Sequence, residues 1–113
     1  MGVVKTTIQP GSGPSPQVGQ KVIMDYTGFL KDPTKPENKG DQFDTSIGRG
    51  DFITAIGVGR VIRGWDEGVP QMQVGEKAIL DMTADYGYGA RGAPGAIPPN
   101  ADLIFEVHLK GIQ

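Results

Sequence analysis

The sequence predicts an α+β domain in which an antiparallel sheet of five to six strands curls around one short helix. Most apolar segments alternate with a period of two, which is typical of half-buried strands. One segment alone has helical spacing. The 18 glycines and nine prolines stand between the apolar runs, where they predict turns. A chain of 113 residues is long enough for one core, so we expect a single domain over 1–113.

Three longer strands are predicted over 21–30, 76–83 and 102–112. In the first, Val22, Met24 and Tyr26 share one face. In the second, Ala78, Leu80 and Met82 are assigned to the apolar face, and Glu76 and Asp81 to the polar face. In the third, Leu103, Phe105, Val107 and Leu109 oppose Glu106, His108 and Lys110. Shorter strands are predicted over 3–8, 42–45 and 52–56.

The helix is predicted within 61–72. Its apolar residues recur at steps of four, four and three: Val61, Trp65, Val69 and Met72. Pro70 should end the helix, because proline lacks the backbone N–H and clashes with the preceding turn. Trp65 is the chain's one tryptophan. The two glycines beside it, Gly64 and Gly68, make this a poor helix, since each costs about 1 kcal/mol relative to alanine.

Two long loops are predicted. The segment 31–42 is polar and contains Pro33 and Pro36, which favours a surface insertion. The segment 85–102 is rich in glycine and proline yet keeps Tyr88 and Ile97, apolar residues that an exposed loop does not need. Functional residues concentrate on loops held by a rigid scaffold.

Composition argues against several classes of function. A net charge of −2 offers no basic surface for nucleic acid, and the absence of cysteine excludes disulfides and thiolate chemistry. No metal site is expected, and no apolar run approaches the ~20 residues of a membrane span. We therefore expect a cytoplasmic protein. Gly2 fits a myristoylation pattern, but an ordinary first strand is the preferred interpretation. His108 is interpreted as a solvated strand residue.

The remaining signal is a set of aromatic residues placed partly in loops and close to an acid. These aromatic residues are Tyr26, Phe43, Phe52, Trp65, Tyr88 and Phe105. Asp44 follows Phe43 within an apolar stretch. An aromatic-lined concavity with a few polar groups is the usual form of a ligand site.

Five stretches carry a family resemblance that covers essentially the whole chain: VIMDYTGFL, QFDTSIGRGDF, VIRGWDEGVPQMQVGEKAIL, DYGYG and IPPNADLIFEVHL. The combination of VIRGWDEG with IPP-x-A-x-L-x-F is highly specific. The sequence thereby resembles the FKBP-type peptidyl-prolyl cis-trans isomerases, the immunophilins that bind tacrolimus and rapamycin, and in particular their small single-domain cytosolic members of fungal type.

The resemblance implies isomerisation of X–Pro bonds by amide twisting in a dry aromatic pocket, without a cofactor. Trp65 would form the floor of the pocket, with its flanking glycines allowing it to fit beneath the bound ring. Tyr26, Asp44 and Tyr88 are the implied catalytic residues. The implied binding residues are Tyr26, Phe43, Asp44, Arg49, Phe52, Val61, Ile62, Trp65, Tyr88, Ile97 and Phe105.

The implied partners are proline-containing polypeptides, tacrolimus and rapamycin, with calcineurin and the TOR kinase as partners of the drug-bound protein. A monomer is expected, with the 90–99 loop as a route to weak self-association. Arg60 stands where the family commonly has an acidic residue, and Ala93 and Ala96 make the loop before IPP lighter. An alternative remains open: a proline-binding module whose isomerase activity is incidental to holding a partner.

Overall fold

A computed structural model describes residues 2–113, in which six strands form one antiparallel sheet. The strands are β1 (Val3–Gln9), β2 (Lys21–Lys31), β3 (Lys39–Thr45), β4 (Phe52–Ala55), β5 (Lys77–Met82) and β6 (Leu103–Ile112). Their order in the sheet is β1-β5-β6-β2-β3; β4 pairs with 21–24 of β2, whereas β3 pairs with 27–31. The prediction of an α+β fold is confirmed, and each of the six candidate segments overlaps a strand. The helix is α1 (Arg63–Gly68), and three 3₁₀ turns span Pro36–Asn38, Val69–Gln71 and Ala84–Tyr86.

The core lies between the inner face of the sheet and α1. Side chains at alternate positions of β2, β5 and β6 are buried there, because successive residues of a strand point to opposite faces. The helix adds Trp65, and the turn after it adds Val69, with Met72 next to it. None of the helical segments in residues 2–113 is long and apolar enough to cross a membrane.

The helix is shorter than the predicted segment 61–72. It begins at Arg63, after Ile62 in an extended conformation with ψ of 151°. It ends at Gly68, so the prediction that Pro70 ends the helix is confirmed to within two residues, and the chain continues as a 3₁₀ turn that contains Pro70. Proline is tolerated there because the first residues of a helical turn have no intrahelical use for their N–H groups. Val61 and Met72 therefore lie outside the helix, and their spacing arises because both pack against the core beside it.

The predicted loop 31–42 is also shorter in the structure. Lys31 ends β2, and 39–42 are the first residues of β3, so the connection is confined to 32–38. It closes through a hydrogen bond from the N–H of Asp32 to the carbonyl of Asn38, 2.8 Å long. The segment is an extension of the β2–β3 hairpin, which polar composition and prolines alone did not indicate.

Glu76 does not belong to the polar face to which the sequence assigned it. It is 3% exposed and precedes β5, on the side of the sheet that alternation gives to Ala78. Its carboxylate accepts hydrogen bonds from Lys5 Nζ at 2.7 Å, Thr7 Oγ1 at 2.8 Å and the N–H of Gln73 at 3.0 Å. Burial opposes ionisation, but these donors together lower the pKa of Glu76.

Candidate functional site

A cavity of about 480 Å³ opens where the start of α1 meets the inner face of the sheet. Its volume is within the usual range for small-molecule sites. The residues that line it come from β2, β3, β4, β6, α1 and two loops. They are Tyr26, Asp44, Phe52, Gly59, Arg60, Val61, Ile62, Trp65, Tyr88 and Phe105.

Trp65 forms the base of this cavity. Its ring centroid lies 4.8 Å from that of Tyr26, 5.1 Å from that of Phe105 and 5.6 Å from that of Phe52, each in an edge-to-face arrangement. Aromatic rings favour this arrangement because the positive edge of one ring meets the negative face of another. The indole N–H is buried without a hydrogen-bond acceptor in residues 2–113, so packing alone holds the ring.

The two glycines beside Trp65 serve the packing of α1 against the sheet. A Cβ atom on Gly64 would lie 2.4 Å from Met82 Sδ, and one on Gly68 would lie 3.0 Å from Leu80 Cδ2. Both clashes involve side chains of β5, so the glycines let the helix approach that strand closely. The expectation that they make room beneath a bound ring is not supported: they face the sheet.

Phe43 supports the cavity from behind. It does not line the cavity, but its ring packs edge-to-face on Phe105 at 5.5 Å. Both rings lie close to the backbone of Gly28 in β2. A Cβ atom at this glycine would lie 2.7 Å from Phe43 Cζ and 2.7 Å from Phe105 Cε1. The glycine is therefore required for the two rings to take these positions.

Asp44 places a carboxylate at the polar side of the cavity. It accepts hydrogen bonds from the Tyr26 hydroxyl at 2.8 Å, the Thr45 N–H at 2.9 Å and Arg49 Nη2 at 2.5 Å. Partial burial opposes ionisation, but the three donors together lower the pKa of Asp44. Burial and the hydrogen bond to Asp44 raise the pKa of Tyr26 to about 12. The carboxylate therefore stays ionised, and the phenol stays protonated, across the neutral range.

Two further donors in the cavity wall have no acceptor within residues 2–113. The Ile62 N–H precedes α1 and donates to no backbone or side-chain oxygen there. The Tyr88 hydroxyl likewise makes no hydrogen bond in this part of the chain, and Tyr88 is 41% exposed. Partial burial and the nearby Asp44 charge raise the pKa of Tyr88. Both groups can donate to a ligand that enters the cavity.

The structure brings together eight of the eleven predicted binding residues in the lining of the cavity. Phe43 and Arg49 do not line it: Phe43 packs on Phe105, and the exposed Arg49 forms an ion pair with Asp44. Ile97 lies outside the lining; it is 5% exposed, and its backbone pairs with that of Ala93. Gly59 and Arg60 also line the cavity but were not among the predicted binding residues, although their position just before Val61 was an available signal.

His108 lies on the opposite face of the sheet. It pairs across the strands with Asp25 and borders a separate outer depression of about 200 Å³. Burial and the charges of Lys77 and Lys110 lower the pKa of His108. The cavity above Trp65 has no His, Lys or Cys among the described residues that line it.

Comparison with known proteins gives consistent matches along the chain. Residues 13–110 match the family model described as FKBP-type peptidyl-prolyl cis-trans isomerase. The chain is 64% identical over 113 residues to FK506-binding protein 1B of Neurospora crassa, with all of both chains covered. It is 68% identical over 112 residues to FK506-binding protein 1 of Gibberella zeae, covering 99% of each chain. It is 52% identical over 115 residues to a peptidyl-prolyl cis-trans isomerase of Schizosaccharomyces pombe, covering 100% of this chain and 96% of that protein.

Proposed function

The chain belongs to the FKBP-type peptidyl-prolyl cis-trans isomerases, and from this premise we propose that it isomerises X–Pro bonds in the cavity above Trp65. The observation that carries the assignment of the site is the aromatic base, where Trp65 is packed edge-on by Tyr26, Phe52 and Phe105. The apolar prolyl ring would pack on the exposed face of this cluster. Val61 adds an aliphatic wall.

Catalysis by this site requires no proton transfer. The barrier to rotation about the peptide bond is ~18–20 kcal/mol and arises from amide resonance. The aromatic and aliphatic residues of the cavity would grip the prolyl ring while the preceding carbonyl turns. Their surface would also exclude the water that favours the planar, charge-separated amide. A millionfold acceleration requires about 8 kcal/mol of preferential binding to the twisted amide.

The two free donors would orient the substrate chain around the twisting bond. The Ile62 N–H and the Tyr88 hydroxyl are both available to substrate carbonyl groups. Asp44 would act as an ionised group that holds Tyr26 and Arg49 and faces the rotating carbonyl. Its hydrogen bonds keep it a fixed charge, not a proton donor.

We extend the proposal to ligands and partners. The FK506-binding proteins among the relatives support binding of tacrolimus in the same cavity, and rapamycin is the second expected ligand. Calcineurin and the TOR kinase are the proposed partners of the drug-bound protein. The chain would act as a cytoplasmic monomer, with Pro94 and Pro98 of the 90–99 loop available to the cavity of a second molecule for weak self-association.

The proposal is tested by fluorescence and turnover measured on one sample. Trp65 is the single tryptophan, so a ligand seated on it must change the emission of the protein. Tacrolimus should change that emission and abolish isomerisation of an X–Pro peptide at the same stoichiometry. Trp65→Leu should reduce kcat/KM by at least tenfold. A saturating drug that leaves both emission and turnover unchanged contradicts the proposed site.

A proline-binding module is separated from an enzyme by a second measurement. A cavity variant that loses turnover but keeps the affinity for a proline-containing partner, together with the cellular phenotype, favours the module. A cavity variant that keeps the affinity for the partner but loses both turnover and the cellular phenotype favours the enzyme.

A further inference from the structure

A hydrogen-bonded chain on the far side of the sheet holds the backbone of Tyr26. Successive residues of β2 point to opposite faces, so Tyr26 faces the cavity while Asp25 faces outward. Ser46 follows the last residue of β3 and is 6% exposed. It is absent from the lining of the cavity, so any effect on the site must pass through another residue.

Ser46 engages both backbone groups of Tyr26. The Tyr26 N–H donates to Ser46 Oγ at 2.9 Å, and the Ser46 N–H donates to the Tyr26 carbonyl at 2.9 Å. The strand pairing between β2 and β3 ends at Thr27 and Thr45. Beyond that point, the Ser46 hydroxyl accepts the hydrogen bond of the Tyr26 N–H, so the side chain takes the place of a backbone acceptor.

Asp25 fixes the direction of the Ser46 hydroxyl. Ser46 Oγ donates to Asp25 Oδ1 at 2.9 Å, which leaves a lone pair of the oxygen for the Tyr26 N–H. The other carboxylate oxygen, Oδ2, accepts from Lys110 Nζ at 3.2 Å, and Lys110 also bridges to Asp51. The carboxylate is thereby held on both oxygens by groups from two different segments.

Tyr26, whose backbone Ser46 holds, links Trp65 at the base of the cavity to the Asp44 carboxylate. The Tyr26 ring packs on Trp65, and its hydroxyl donates to Asp44 at 2.8 Å. A small rotation of the Tyr26 backbone is amplified at the hydroxyl, which lies at the end of the side chain. We propose that Ser46, oriented by Asp25, is a positioning residue that sets the Tyr26–Asp44 hydrogen bond of the isomerase site. This inference rests on the proposed function.

The test compares Ser46→Ala with a matched control, Thr7→Val. Thr7 also donates to a carboxylate, that of Glu76 at 2.8 Å, but lies on β1 away from the cavity. Ser46→Ala should lower kcat/KM by about three- to tenfold with an unchanged circular dichroism spectrum, since misplacement by a fraction of an ångström weakens a preorganised site. Thr7→Val should leave kcat/KM unchanged.

Two readouts separate positioning from a general loss of stability. In Ser46→Ala, the carboxyl titration of Asp44 followed by NMR should move to higher pH, because a loosened Tyr26 hydrogen bond stabilises the carboxylate less. In a Tyr26→Phe background, Ser46→Ala should cause no further loss of kcat/KM, because the hydroxyl through which it acts is already absent.

Asp25 provides a second pair of variants. Asp25→Ala should reproduce the loss seen in Ser46→Ala, and Asp25→Asn should restore most of it, because the amide oxygen still accepts from Ser46. Such a rescue is expected of an orienting hydrogen bond and not of a requirement for charge.

Three results would overturn the inference. They are a wild-type Asp44 titration in Ser46→Ala, additive losses in the Tyr26→Phe background, and wild-type kcat/KM in Tyr26→Phe itself. The proposed function is tested separately. If Trp65→Leu abolishes turnover while the Ser46 and Tyr26 variants remain fully active, only the positioning role fails. If Trp65→Leu is fully active, the cavity assignment fails as well.

Discussion

Gly28→Ala tests whether the ring positions seen in the cavity determine activity. The added Cβ would lie 2.7 Å from Phe105 Cε1 and 2.7 Å from Phe43 Cζ. Carbon atoms pack best at about 3.5–4.0 Å, so both rings must retreat by roughly 1 Å. Phe105 is 2% exposed and contacts Trp65 at a centroid distance of 5.1 Å, so its displacement is passed to the base of the cavity.

The expected magnitude combines two opposing effects on the free energy of unfolding. Overpacking of a core costs about 1–3 kcal/mol, and replacing glycine by alanine recovers about 0.4–1 kcal/mol through the unfolded chain. A net loss of about 1–2 kcal/mol should lower Tm by about 4–8 °C in a domain of this size. Because the rings that move also form the cavity, kcat/KM should fall about tenfold.

Gly111→Ala is the matched control. Gly111 also lies in a strand, β6, but a Cβ atom there would meet only Ile23 Cδ1, at an ordinary distance of 3.5 Å. This variant should keep wild-type kcat/KM and an equal or higher Tm. The assays are thermal unfolding by circular dichroism and isomerisation of an X–Pro peptide. If Gly28→Ala matches Gly111→Ala in both assays, the close approach of the rings has no functional role.

Four other changes probe separate features. Asp44 is held ionised, both cavity tyrosines are protonated, and His108 lies on the opposite face of the sheet. The value of kcat/KM for a neutral X–Pro peptide should therefore vary less than about twofold from roughly pH 5.5 to 8.5. A tenfold change over this range would indicate general acid–base catalysis. Glu76→Gln should cost about 2 kcal/mol at pH 7. Because the pKa of Glu76 is lowered in the folded chain, this difference should shrink as denaturation is measured at pH values falling below about 4.3; a constant difference would contradict the ion pair. Shortening 33–37 to a two-residue turn should change stability by less than about 1 kcal/mol and leave turnover intact, and a loss of turnover would place this hairpin end in the site. Arg60 is an exposed residue of the cavity wall. Arg60→Glu should therefore lower kcat/KM for peptides with an acidic residue beside proline, relative to neutral peptides, by about two- to fivefold. An unchanged ratio would show that Arg60 takes no part in substrate selection.

Secondary structure was predictable from the sequence where burial is periodic. The alternation in 21–30 and 102–112 identified β2 and β6, because a strand with one buried face must alternate. The short helix was identified by the spacing around Trp65, and Pro70 correctly marked its C-terminal end to within two residues, but its start at Arg63 was not predicted. Local spacing records which residues are buried, whereas the bounds of α1 depend on backbone geometry at Ile62 and Pro70.

The aromatic residues of the site were also predictable, because the sequence motifs around Tyr26, Trp65 and Tyr88 contain them. What each one touches was not predictable. The sequence alone gave no sign that Gly64 and Gly68 face β5, or that Ile97 lies beside Ala93 and outside the cavity. The glycine contacts join α1 to a strand that lies later in the chain, and no local pattern records them.

The sequence by itself determined the fold class, the family and the aromatic character of the site, because periodicity and motifs are local properties of the chain. The tertiary structure alone decided that Glu76 is buried against β1 and that Ser46 holds the backbone of Tyr26. A polar residue is acceptable in a buried position only when donors and acceptors from other strands converge on it. That convergence exists only after the sheet has formed.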